Sequence, residues 1–188
     1  MSNKLKHVIS FIFIFSVCFL TIIPVSTNAA SISDFLIKDG VLLAYTGSET
    51  TVTVPSNVTA IGKRAFSDNS KIKTIILPSS VTIINEEAFS NCNSLRKINL
   101  PDGIKRIPYH AFYGCYYLSN TTLPNKLTYI GEGAFSGCAK MTKITLPKSV
   151  KFISIEAFHW CNGLTTVSIP LTASFTILQE ELFKDATT

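Results

Sequence analysis

Histidine is scarce in this 188-residue chain: there are three, and only His110 and His159 lie beyond residue 29. Neither is accompanied by the second carboxylate, the serine nucleophile motif or the glycine-rich phosphate loop that catalysis or nucleotide binding requires. A Glu87–His110 contact between neighbouring units reads as a solvated pair. The expectation is no enzyme, with no catalytic, cofactor-binding or metal-binding residue. A strong excess of one charge is also missing. Once Lys4 and Lys6 are set aside, 15 of the 17 basic side chains remain against 12 acidic ones, a net charge of +3. That balance is too mild to argue for a nucleic-acid partner. Polar low-complexity sequence is absent too, and an apolar share of 46% supplies a core for one domain and excludes disorder.

The first 29 residues stand apart. Lys4 and Lys6 precede an uncharged, mostly apolar run from Val8 to Ile23, Pro24 breaks it, and Thr27-Asn28-Ala29 offers a small-residue cleavage pattern. This reads as a secretory signal peptide, residues 1–29. The alternative, a retained anchor, needs about 20 apolar residues to span a bilayer, more than the run provides. Cys18 leaves with the leader, and Val17 before it is too large for a lipoprotein site.

Beyond the leader the chain repeats. Prolines stand at 55, 78, 101, 124, 147 and 170, every interval being 23 residues. Ala-Phe pairs keep the same step at Ala65-Phe66, Ala88-Phe89, Ala111-Phe112, Ala134-Phe135 and Ala157-Phe158. Apolar columns do likewise, as in Ile61, Ile84, Ile107, Ile130 and Ile153. Five complete units fill 56–170 without an insertion, behind an entry hairpin at 30–55. A period this strict suits coils stacked in register rather than a globular domain with variable loops. Within a unit, Ile98-Asn99-Leu100 and its equivalents alternate as a short strand ended by proline, and stacking pairs these strands in parallel. In the second half, Val81, Ile84, Ala88, Phe89, Cys92 and Leu95 follow helical steps, which predicts a short helix near Glu86–Asn91. Glu86, Glu87, Glu132 and Glu156 fall at its start, where a helix favours negative charge.

Cys92, Cys115, Cys138 and Cys161 form another column, with Asn69 in the first unit's equivalent place. An even count in an exported chain invites disulfides or zinc, but no C-x-x-C pair occurs. Helices packed about 8–10 Å apart exceed the about 7 Å Cα limit for a bridge. Buried free thiols are the favoured reading, a bridge between neighbours or an adventitious metal the alternative.

The run Leu95…Ile98-x-Leu100-Pro101…Ile104-x-x-Ile107…Ala111-Phe112…Cys115 resembles the BspA-type class of bacterial leucine-rich repeats, and the segment from Phe35 resembles that family's entry unit. The resemblance implies an α/β leucine-rich-repeat solenoid, with short parallel strands on the concave face and short helices or turns on the other side. It implies an exported or surface protein, often one that adheres to host proteins or other cells, and brings no catalytic residue.

Function is therefore sought on the surface. The outward strand positions run from Thr51 and Thr53 to Thr166 and Ser168 without an acidic residue. Lys73, Arg96, Lys97, Asn99, Thr122, Lys143 and Thr145 form the first candidate partner-binding patch. Plain β-propensity and solubility of threonine is the competing account. A second candidate is aromatic: Tyr109, Tyr113, Tyr116, Tyr117 and Trp160. The expected partner is an extracellular or cell-surface protein or glycan. No cofactor, no nucleic acid and, after leader removal, no membrane is expected, and the chain reads as a monomer. A structural spacer within a larger surface protein is the alternative. After Pro170, residues 171–188 read as a partial sixth repeat or cap, reaching Leu182-Phe183 two residues late.

Overall fold

Alternation governs the first half of each unit, because every second side chain of an extended segment turns inward. Val52 and Val54, Ile75 and Leu77, and Ile144 and Leu146 are buried, while Thr51, Thr53, Ile76, Lys143 and Thr145 face out. The structure, a computed structural model, describes residues 30–170 and the backbone of Thr176–Ile177. The leader at 1–29 and the rest of the segment 171–188 lie outside the described residues.

The chain enters through an antiparallel hairpin, β1 (Phe35–Lys38) and β2 (Val41–Tyr45). Asp39 and Gly40 turn it with φ of 50° and 76°, the left-handed pair that a two-residue hairpin of right-handed twist requires. The coils then contribute to two rows of strands. The first row contains β3 (Thr51–Thr53), β5 (Thr74–Ile76), β7 (Lys97–Ile98), β10 (Lys143–Thr145) and β12 (Thr166–Ser168). The second contains β4 (Ala60–Ile61), β6 (Ile83–Ile84), β8 (Arg106–Ile107), β9 (Tyr129–Ile130), β11 (Phe152–Ile153) and β13 (Thr176–Ile177). Pairing between coils is parallel, Val52 lying beside Ile75 and Ile61 beside Ile84, so the 23-residue step is the register itself. At the far end Ile153 pairs with Ile177, one residue beyond that step.

The predicted short helix is absent. Among the described residues the helical geometry is one 3-10 turn, Ile32–Asp34, and the stretch Glu86–Asn91 is a series of tight turns. Two columns of left-handed residues stop a helix from propagating. The first is Arg64, Glu87, His110, Gly133 and Glu156; the second is Asp68, Asn91, Gly114, Gly137 and Trp160. The N–H groups also go elsewhere. Phe66, Phe89, Phe112 and Phe135 each donate to the alanine carbonyl of the following coil at 2.8–2.9 Å, so the turns make a third row of bonds between coils. The helical steps in the sequence arise because a chain that turns every few residues returns its apolar side chains to the same interior.

That interior is ordered by phenylalanine. Phe66, Phe89, Phe112, Phe135 and Phe158 stack with ring centroids 5.0–5.5 Å apart and planes within 15°, a spacing close to that of neighbouring strands. Tyr45 and Phe35 continue the column into the hairpin. The four cysteines are free and buried, as the sequence reading favoured. The reason differs from the helix-spacing argument. Each Sγ lies 3.0–3.4 Å from the phenylalanine carbonyl of the preceding coil and donates to it, Cys92 to Phe66 through Cys161 to Phe135. That carbonyl also accepts an N–H of its own coil, for example Phe89 from Cys92 at 3.2 Å, so both its lone pairs are used. Burial pushes the Cys92 and Cys161 thiols up to about 12 and those of Cys115 and Cys138 well above their ordinary value.

Two outcomes are expected. Phe112→Ala removes the middle ring of the stack and costs about 3–5 kcal/mol, read from chemical denaturation. A thiol reagent at pH 7–8 labels none of Cys92, Cys115, Cys138 and Cys161 in the folded protein and all four after denaturation. The raised thiol pKa also has a sign. A group that is neutral when protonated and has a higher pKa in the folded state stabilises fully below its unfolded value. The Cys92 and Cys161 contribution is thus intact below pH 9.0 and lost as pH rises towards about 12, a fall readable in denaturation midpoints.

Candidate functional site

The pleat of the first row turns Lys97, Lys143 and their column outward, and Lys73, Arg96, Lys97, Asn99, Thr122, Lys143 and Thr145 are all exposed on it. Register places Lys97 beside Thr74 and Lys143 beside Thr166, with the Asn120 coil between the two lysines. Not all seven are free groups. Asn99 accepts the Leu77 N–H at 2.7 Å and donates to the Leu77 carbonyl at 2.8 Å, so its amide takes the place of a strand partner. The Arg96 guanidinium lies 5.0 Å from the centre of the Tyr117 ring. The other five side chains offer ammonium and hydroxyl groups to solvent.

The strand expected at Asn120–Thr122 is absent, which corrects the sequence reading. Thr121 occupies the column otherwise held by Ile75, Ile98, Ile144 and Val167, and it is 93% buried, with 7% exposure. A hydroxyl there must find a partner. It donates to the Ser119 carbonyl two residues back at 3.1 Å, a local bond that competes with strand pairing. Asn120 meanwhile turns its Oδ1 to the Lys143 N–H and the Thr142 hydroxyl, both at 3.0 Å. The backbone groups of Asn120–Leu123 make no hydrogen bond to the backbone of another described residue. Hollows of about 340 and 270 Å³ open on either side of this segment. Sequence reasoning passed over the break, although its signal was a hydroxyl in an otherwise apolar column.

The five aromatic candidates do not converge. Tyr109 and Tyr113 enclose the His110 ring at 3.9 and 4.5 Å, and that ring fills the space that a Cβ on Gly133 would enter. Burial lowers the His110 pKa against the opposing pull of Glu132, Glu87 and Glu156. Glu87 pairs instead with Arg64 at 3.5 Å and Lys63 at 3.8 Å. Tyr116 and Tyr117 meet edge to face at 5.0 Å, with the Lys140 ammonium 5.6 Å over Tyr116. Trp160 stands exposed against His159 at 4.4 Å.

A further arrangement lies on the second row, whose two-residue strands come just before the stretch expected as helix and are not part of the sequence reading. Arg106 sits 3.8 Å over the Tyr129 ring, and Tyr129 stacks on Phe152 at 5.3 Å. A hollow of about 700 Å³ adjoins it, lined by Ile83, Glu86, Lys105 and Arg106 among others. Among the described residues no cluster of three or more His, Cys, Asp or Glu is placed to hold a metal. No helix among them is long and apolar enough to cross a membrane.

With this geometry in view, comparison with known proteins is informative. The model of the BspA type leucine rich repeat region matches in six copies, over residues 3–93 and 37–165. Among solved structures, a leucine-rich repeat protein from Bacteroides ovatus is 37% identical with a TM-score of 0.64, the match covering 72% of this chain and 39% of that one. A leucine rich cell surface protein from Faecalibacterium prausnitzii is 25% identical with a TM-score of 0.65, covering 78% and 38%. The T. pallidum leucine rich repeat protein, 24% identical with a TM-score of 0.68, covers 84% and 90% and is similar in fold. The chain thus spans about two fifths of the Bacteroides and Faecalibacterium proteins. No curated protein matches the sequence. Six copies of one repeat model, laid over coils whose register is the same 23-residue step, make this chain a member of the BspA-type leucine-rich repeat family.

Proposed function

We propose that the protein is an exported, non-catalytic binding module that adheres to an extracellular or cell-surface protein or glycan through the exposed face of its first strand row. The observation that carries this reading is electrostatic. Lys73, Arg96, Lys97 and Lys143 are exposed on that row, and no aspartate or glutamate stands among its outward positions from Thr51 to Ser168. Like charges held on one rigid face add their potentials and attract an acidic partner. Family membership supports a binding role. The leader-like residues 1–29 and the likeness to a cell surface protein of F. prausnitzii support export. The monomer presents this face without a second copy.

The expected behaviour is salt-sensitive capture, since ions screen exposed charges over about 8 Å at physiological strength. Replacing Lys97 and Lys143 by Glu weakens capture of an acidic matrix protein or anionic glycan at least tenfold and leaves the circular dichroism spectrum unchanged, because both side chains face solvent. Replacing Tyr113, Tyr116 and Tyr117 by Ser leaves capture largely intact. The reverse pattern moves the site to the aromatic edge, and absence of capture of every matrix protein and glycan by the unaltered protein favours the spacer reading.

A further inference from the structure

The break in the first row is where this chain departs from its own rule. Val52, Ile75, Ile98, Ile144 and Val167 show that an aliphatic residue is what the column packs best, yet Thr121 interrupts it and leaves four residues of backbone without strand partners. A local departure that gives up pairing without a packing gain marks a place to look for a ligand.

The groups around it define the ligand's chemistry. Both hollows border Asn120, Thr122, Leu123 and Asn125, so the two adjoin across that segment and make a divided groove on the row. Their volumes, about 340 and 270 Å³, are near the lower end of small-ligand sites, about 300–1,000 Å³. The larger one is lined by Lys143 and Thr145 and contains no carboxylate. The smaller one contains Lys97 together with Asp102, which accepts the Asn125 N–H at 3.3 Å. No aromatic ring lines either, so nothing stacks on a nucleobase. Coils flank the segment on both sides, so an extended peptide finds no open edge. Hydroxyls, amides and unpaired backbone groups over Leu123 and Pro147 suit a compact molecule with many hydroxyls and a few C–H faces.

We propose that this groove is a saccharide site for a sugar unit carrying a carboxylate. The acid lies on Lys143, away from Asp102, and the sugar hydroxyls bond to Thr122, Asn125, Thr145 and the free backbone groups of Asn120–Leu123. The proposal rests on the binding face described above and names the ligand class for one part of it.

The test uses a glucuronic-acid-containing disaccharide, its neutral counterpart with the carboxylate reduced to an alcohol, and heparin beads as a polymeric anion. Titration followed by amide NMR is expected to show the acidic disaccharide shifting the resonances of Thr122, Asn125 and Thr145. The neutral sugar binds at least tenfold more weakly, and Lys143→Gln abolishes that preference. Thr121→Ile restores the apolar column and changes no charge. It is expected to raise the melting temperature by about 3 °C, weaken disaccharide binding at least tenfold and leave capture on heparin beads unchanged. Equal disaccharide binding by Thr121→Ile and the unaltered protein overturns the proposal. So does heparin capture with no disaccharide binding by the unaltered protein, an outcome that spares the charged face. Loss of both in the unaltered protein overturns the binding face and the groove together. Should Thr121→Ile fail to fold, the double variant Thr122→Ala, Asn125→Ala decides, and unchanged disaccharide binding there overturns the proposal.

Discussion

Each coil of this molecule depends on the next for its hydrogen bonds. The strands and turns are too short to satisfy their own backbone, so N–H and C=O groups in both strand rows and in the turns are met by the neighbouring coil. An unmade buried bond costs about 1–3 kcal/mol, and a slipped coil would lose several at once. From that constraint the rest follows. Side chains in one column must have one shape, the phenylalanine rings must lie at the strand spacing, and the thiols must reach a carbonyl one coil back. Sequence periodicity is the visible form of this hydrogen-bond register.

The same constraint explains how far the sequence could be read. Columns such as Ile61 to Ile153 and Phe66 to Phe158 disclosed the stack and its core, because burial demands the same side chain at every turn of the coil. The hidden part was backbone direction. Apolar steps of three and four are shared by a helix and by a chain that bends repeatedly around one core, and only the left-handed residues separate them. Asn91, Gly114 and Gly137 hinted at such bends, whereas Trp160 in the same column and Arg64 and His110 in the other concealed them. The second strand row, only two residues per coil, carries too short an alternation to show in the sequence, and with it the stack of Arg106, Tyr129 and Phe152 stayed hidden.

At the candidate site Lys97 and Lys143 were readable from strand alternation, since period two leaves no choice of face, while Lys73 and Arg96 stand one place ahead of the outward positions. The clamp of Asn99 on Leu77 and the break at Thr121 were not, because both depend on which backbone group lies opposite in the next coil. A single hydroxyl among isoleucines changed the local balance. It gave the chain a nearby carbonyl to bond, and the strand pairing on either side gave way. The surface thus combines a charge pattern set by many coils with a groove made by one.

Most joints in the stack share one 23-residue register, and this bears on how such a protein can change over generations. Loss or gain of one residue within 56–170 would throw all later columns out of step. Loss or gain of a 23-residue unit inserts or removes a finished coil, with its phenylalanine, thiol and strand contacts already matched to those on either side. Recombination that adds or removes whole units can therefore lengthen or shorten the face by about 4.8 Å at a time without redesigning it. For a surface facing a polymer of repeating units, copy number becomes a heritable control of avidity, separate from the chemistry of any one side chain.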